Sequence, residues 1–75
     1  MEDLIEILED MNPDIDYHTH KALVDDGILT SFELVNLVTQ IADVFGVNVP
    51  PDRIVPENFN SATSIYALIE RLEEE

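Results

Sequence analysis

Asp25-Asp26-Gly27-Ile28-Leu29-Thr30-Ser31-Phe32-Glu33-Leu34-Val35-Asn36-Leu37-Val38-Thr39-Gln40-Ile41-Ala42-Asp43-Val44-Phe45-Gly46 contains the clearest element of the chain and the signals that bound it. Leu34, Leu37, Val38, Ile41 and Phe45 recur at spacings of three and four, which lines one face of an α-helix with apolar side chains. Gly46 stands where a left-handed residue closes a helix. Thr30 and Glu33 have the spacing of a capping box, with Thr as N-cap and Glu at the third helical position. The spacing therefore predicts a helix over 31–45, with Ser31 at its first position. A side chain there projects from the helix tip beside free backbone N–H groups and the positive end of the dipole, where a phosphate diester is favourably placed. On local chemistry alone, an ordinary helix-start serine is the favoured reading.

Two further helices follow from the same periodicity. Leu4, Leu8 and Met11 mark a first helix over Glu2–Met11, flanked by Ile5 and Ile7, and Asn12-Pro13 ends it. Ile65, Leu68, Ile69 and Leu72 mark a last helix from Ala62 to about Glu73, with Asn60 or Ser61 as its N-cap. Its acidic end, Glu73 to Glu75, opposes the helix dipole and is expected to fray. Between Val47 and Phe59, Pro50, Pro51 and Pro56 exclude a long helix and leave room for one short helix or 3₁₀ turn. No stretch alternates with a period of two for long enough to make a strand. The expectation is an all-α fold, an antiparallel bundle of three main helices plus a short third one, with residues 1–75 as a single domain.

Residues 12–30 form a connection longer than the roughly 12 to 15 residues beyond which structureless loops become uncommon and usually functional. Ile15, Tyr17, Leu23, Val24, Ile28 and Leu29 are expected to anchor it over the helices. The rest of its length delivers the chain to the start of the central helix in a defined pose.

Composition narrows the function. Seventeen acidic residues stand against Lys21, Arg53 and Arg71, for a formal net charge of -14. Such a field repels phosphate backbones and anionic lipid surfaces, so nucleic-acid binding is disfavoured; basic patches on other proteins are attracted, although as a bare statistic the charge is more often a route to solubility. No apolar run approaches the roughly 18 residues of a membrane span, and Met1-Glu2-Asp3 is acidic where a signal peptide is basic. A cytoplasmic monomer without membrane insertion is expected. There is no cysteine, hence no disulfide and no thiolate metal site.

Two catalytic or metal-based readings fail on the residues. A nucleophilic Ser31 needs a base oriented by a third group, and the only histidines, His18 and His20, fall in a polar loop segment where exposed, uncommitted side chains are expected. Asp10-x-Asn12-x-Asp14-x-Asp16 imitates the start of a calcium loop, yet Ile15 replaces the required Gly and Lys21 the bidentate Glu. No metal site is expected beyond loose divalent binding at the acidic surface.

The order of features, a long loop, Gly, a hydrophobic pair, Ser at a helix start, a periodic helix ending Phe-Gly, a Pro-containing turn and a last helix, resembles the acyl carrier proteins over essentially all 75 residues. The frame Asp25-Asp26-Gly27-Ile28-Leu29-Thr30-Ser31 looks more like the D-alanyl and other free-standing carriers than the fatty-acid type. The resemblance implies that Ser31 carries a covalent 4′-phosphopantetheine arm derived from coenzyme A, whose thiol holds acyl or aminoacyl groups as thioesters. It implies a non-catalytic carrier in fatty acid, polyketide or nonribosomal biosynthesis. The implied partners are a phosphopantetheinyl transferase, a loading ligase, and a downstream acyltransferase or synthase, docking on Thr30, Phe32, Glu33, Val35, Asn36, Thr39 and Asp43. Thr30 stands where the family usually has Asp, and Phe32 where it has Leu. Asn36 and Ala42 occupy positions where carboxylates are common, which shifts contact toward Val35 and Thr39. The competing reading is an acidic helical interaction module that is never modified.

Overall fold

A computed structural model describes residues Met1–Glu75. It is all-helical: α1 spans Glu2–Met11, α2 Ser31–Phe45, α3 Pro56–Phe59 and α4 Ala62–Glu74, with a 3₁₀ turn at Pro51–Arg53 between α2 and α3. The expected bounds of the first two helices hold. α1 is closed by Asn12, whose backbone N–H donates to the Leu8 carbonyl, and α2 by Gly46 in the left-handed region at φ 69°. The α4 cap is Ser61, whose hydroxyl accepts the Ser64 amide over 3.1 Å.

One core joins these elements. Leu4 and Leu8 of α1, Leu37 and Ile41 of α2, Phe59 of α3 and Ile65 of α4 are all fully buried, and each contributes about 1.5–3 kcal/mol as apolar surface removed from water. No polar or charged side chain is buried with them. The end of α1 lies beside the start of α2, since Asp10 and Met11 share a groove with Phe32 and Glu33; these two helices run antiparallel. The ends of α2 and α4 meet, with Phe45 and Gly46 facing Leu72 and Glu73 across a second groove. The linker after Gly46 makes that return possible.

Sequence reading expected one short turn in this linker and the structure has two. Each begins with a proline at its first helical position, where a preset φ and a missing N–H cost nothing. Ile54, at φ -87° and ψ 77°, separates them. The Asn58 carboxamide donates to the Arg53 carbonyl over 2.9 Å and ties one turn to the other. α4 continues to Glu74, and the Arg53 guanidinium lies 3.1 Å from the Glu75 carboxylate. That pair is solvent-exposed and adds at most a few tenths of a kcal/mol.

Tyr17 carries the first half of the long loop into the core. It is buried, and its hydroxyl donates to the Asn12 carbonyl over 2.8 Å, closing the loop back onto the end of α1. Burial raises its pKa above the ordinary tyrosine value, and the nearby carboxylates of Glu33 and Glu9 raise it further. Because the folded state holds the proton more tightly than the unfolded chain, this contribution is fully present below a pH of about 10 and is lost as the pH climbs through the folded value. Tyr17→Phe is predicted to cost about 0.5–1.5 kcal/mol at neutral pH through the lost hydrogen bond and to flatten the alkaline fall in stability. Urea unfolding of both proteins from neutral to strongly alkaline pH checks this; an equally steep alkaline limb in the variant contradicts it.

Candidate functional site

The second half of the long loop is a built structure. Residues 22–26 form one helical turn, closed by Gly27 at φ 77°. The Ile28 amide donates to the Leu23 carbonyl over 2.9 Å and the Gly27 amide to Val24 over 3.0 Å, the two bonds of a Schellman motif. A side chain at Gly27 would be strained in this left-handed conformation. Leu23 and Leu29 enter the core on either side of the turn.

Asn60, at the junction of α3 and α4, holds this turn in place. Its side-chain oxygen accepts the amides of Val24 over 2.9 Å and Asp25 over 3.1 Å. Its nitrogen donates to the Asp25 carboxylate over 3.2 Å, and its main-chain carbonyl accepts the Leu23 amide over 2.8 Å. Just before this turn His20 is half-buried; its Nε2 lies 3.0 Å from the Asp26 carboxylate but makes no hydrogen bond. Sequence reading expected both histidines as exposed loop residues; His18 is exposed, whereas His20 is half-buried. The residues that imitated a calcium loop make local turns instead. The Asn12 carboxamide oxygen accepts the Asp14 amide over 3.2 Å, and the Asp16 carboxylate accepts the His18 amide over 3.0 Å.

The turn leads directly into the capping box of α2. Thr30 is the N-cap in extended conformation and Glu33 the third helical residue. The Thr30 amide donates to Glu33 Oε1 over 3.4 Å, and its hydroxyl donates to the same oxygen over 2.7 Å. Ser31, the first helical residue, is exposed and has no side-chain hydrogen bond competing for its hydroxyl. The first-turn amides of an α-helix lack acceptors within it, so an anion esterified to this hydroxyl would meet N–H groups and the positive dipole end. In that respect the residues present fit a phosphodiester.

Phe32, Val35, Asn36, Thr39 and Asp43 are all exposed on α2. Spacings of three and four put them on one face, opposite the buried Leu37 and Ile41. Phe32 is 81% and Val35 66% exposed. The Thr39 hydroxyl is satisfied by the Val35 carbonyl over 3.0 Å. Glu33 is half-buried at the edge of the face, turned toward Thr30 and close enough to Tyr17 to affect its proton. Thus Ser31 and all seven residues expected around it form one continuous surface at the start of and along α2. Asn60 belongs to the support of this surface and was not among the expected residues; Asn60-Ser61 read only as a choice of helix cap.

No helix is long and apolar enough to cross a membrane. Comparison of the chain with protein-family models, curated protein sequences and solved structures finds no match in any of the three.

The capping geometry also changes what an acidic residue at position 30 would do. Thr30 donates to Glu33, whereas Asp would set two carboxylates against one another. Thr30→Asp is therefore predicted to lower stability by about 0.2–0.5 kcal/mol, the scale of a like-charge pair one helical turn apart, and Glu33→Gln in the same chain to restore it. Thermal melts of the two single variants and the double variant provide the test; an additive cycle would show that the 2.7 Å contact carries no coupling.

Proposed function

We propose that this chain is a carrier protein, modified on Ser31 with 4′-phosphopantetheine and shuttling an acyl or aminoacyl thioester between partner enzymes. The observation that carries the reading is the presentation of Ser31. A long, anchored loop delivers an exposed serine to the first position of the central helix, with its hydroxyl free and helix amides beside it. When attached, the arm supplies a thiol for thioester formation. The protein's own part is to hold the serine at a rigid tip, keep the loop from folding over it, and offer the α2 face to the enzyme that acts there. In this reading the chain catalyses nothing itself. The transferase supplies the general base.

Thr30 takes over the capping role that Asp plays in the carriers this sequence resembles, so the local fold of the tip is preserved without a carboxylate at position 30. The exposed Phe32 beside Ser31 favours one other reading, an interaction module that uses this face without modification. Intact mass separates the two. Incubation with coenzyme A and a broad-specificity phosphopantetheinyl transferase, with a known carrier as positive control, is predicted to add the mass of one phosphopantetheine. Ser31→Ala should abolish the gain with unchanged helical circular dichroism, since the position is exposed and Ala is a good helix former. A gain that persists in Ser31→Ala, or moves to Ser61 or Ser64, refutes Ser31 as the attachment site. No gain while the control is modified favours the unmodified module.

A further inference from the structure

Every hydrogen bond that residues 22–29 make outside their own segment ends on Asn60. The amides of Leu23, Val24 and Asp25 donate to it over 2.8, 2.9 and 3.1 Å, and the Asp25 carboxylate accepts from its side-chain nitrogen over 3.2 Å. Chemistry fixes the orientation of that carboxamide, because two main-chain amides require its oxygen and a carboxylate requires its nitrogen. Asn60 directly follows α3 and precedes Ser61, the cap of α4. It therefore belongs to the packed body of the bundle, whereas Asp25 is exposed on the loop. Between Asp25 and Ser31 the chain is pinned again. The Leu29 amide donates to the Leu23 carbonyl over 2.8 Å with the Leu29 side chain buried, and the Thr30 carbonyl accepts the Leu34 amide over 2.9 Å.

We propose that Asn60, through its reciprocal pair with Asp25, is a positioning residue for the modification of Ser31. The proposal rests on the carrier reading above. Asn60 makes no hydrogen bond to Thr30, Ser31 or Phe32, so it acts by setting the fraction of molecules in which the serine is held in one pose. The Schellman bonds and the capping box are each local to their own turn. Neither locates the segment against the rest of the bundle; the burial of Leu23 and Leu29 and the bonds to Asn60 do. A transferase that binds the held pose sees its affinity for the carrier reduced by the fraction of molecules that lack it. Once the complex has formed, the pose is restored. The effect therefore falls on the KM for the carrier and spares kcat and the KM for coenzyme A. Aspartate at position 60 would keep an acceptor for the two amides yet set one carboxylate against another. Exchanging the two side chains, Asp at 60 and Asn at 25, restores a donor facing a carboxylate with the net charge unchanged.

The test is a double-variant cycle of the full chain, Asn60→Asp, Asp25→Asn and both together, studied at a temperature where circular dichroism shows each protein folded. Two readouts are taken. Amide exchange of the unmodified chains is expected to quicken about tenfold at Val24, Asp25 and Leu29 in Asn60→Asp, the scale of a lost charge-assisted hydrogen bond, and to return in the double variant. Transferase kinetics with coenzyme A are expected to show the KM for the carrier raised about threefold or more in Asn60→Asp, with kcat and the KM for coenzyme A unchanged, and recovery in the double variant. A general loss of stability would not be reversed by the exchange of side chains. An additive cycle in either readout overturns the proposal, as does a fall in kcat with the KM for the carrier unmoved. If the unaltered chain gains no mass while a known carrier does, the carrier reading fails. A coupled exchange cycle then leaves Asn60 as a structural latch only, which also overturns the proposal.

Discussion

The carboxamide of Asn60 accepts two consecutive main-chain amides, Val24 and Asp25, from a segment more than thirty positions away in sequence. The second half of the long loop, which leads into α2, is held to the rest of the bundle by that contact. The turn it holds is closed by Gly27, the next residues bury Leu29, and Thr30 follows directly as the cap of α2. Without a fixed turn, the start of α2 would be set by the capping box alone, which is exposed to solvent. The side-chain oxygen satisfies two loop amides as a main-chain carbonyl would, in a domain that has no strand, while the side-chain nitrogen donates to the Asp25 carboxylate.

The distribution of charge complements this arrangement. α1 carries Glu2, Asp3, Glu6, Glu9 and Asp10, and the end of α4 carries Glu70, Glu73 and Glu74, so repulsion is spread over the outside of the bundle. α2 is different. Its exposed face is mostly apolar or neutral, and the two most exposed large apolar side chains of the chain, Phe32 and Val35, stand within its first turns. A solvent-exposed aromatic is informative where a scattered exposed aliphatic is not. Ser31, Phe32 and Val35 together define a tip at which contact with another molecule removes apolar surface from water, while the surrounding carboxylates bias which molecules approach.

Much of this was legible in the sequence, for identifiable reasons. The spacing of Leu34, Leu37, Ile41 and Phe45, with Thr30, Glu33 and Gly46 at the ends, specifies α2 almost to the residue because pattern and caps agree. The same periodicity leaves Phe32 and Val35 off the buried stripe, so their exposure was readable too. The second short turn was not, because a proline start licenses a helical turn without requiring one. Asn60 was hidden for a deeper reason. Asn before Ser at a helix start reads as a cap, and Ser61 takes that role, which frees Asn60 for a partner that only the folded chain brings near. The groove between Met11 and Phe32 was hidden likewise, since it needs the end of α1 and the start of α2 side by side. The partial burial of His20 was hidden because Asp26, 3.0 Å from its Nε2, becomes a neighbour only when the turn at 22–26 forms.

The central claim is that Asn60 holds the turn at 22–26 and, through it, the start of α2. Native-state hydrogen exchange on Asn60→Ala, compared with the unaltered chain, tests it most directly. The account predicts that the amides of Val24, Asp25, Gly27, Ile28 and Leu29 lose protection together, while those within α1 and the middle of α2 keep theirs relative to global unfolding. Loss confined to Val24 and Asp25, with Gly27, Ile28 and Leu29 still protected, would mean that the turn stands by its own Schellman bonds and would contradict the account.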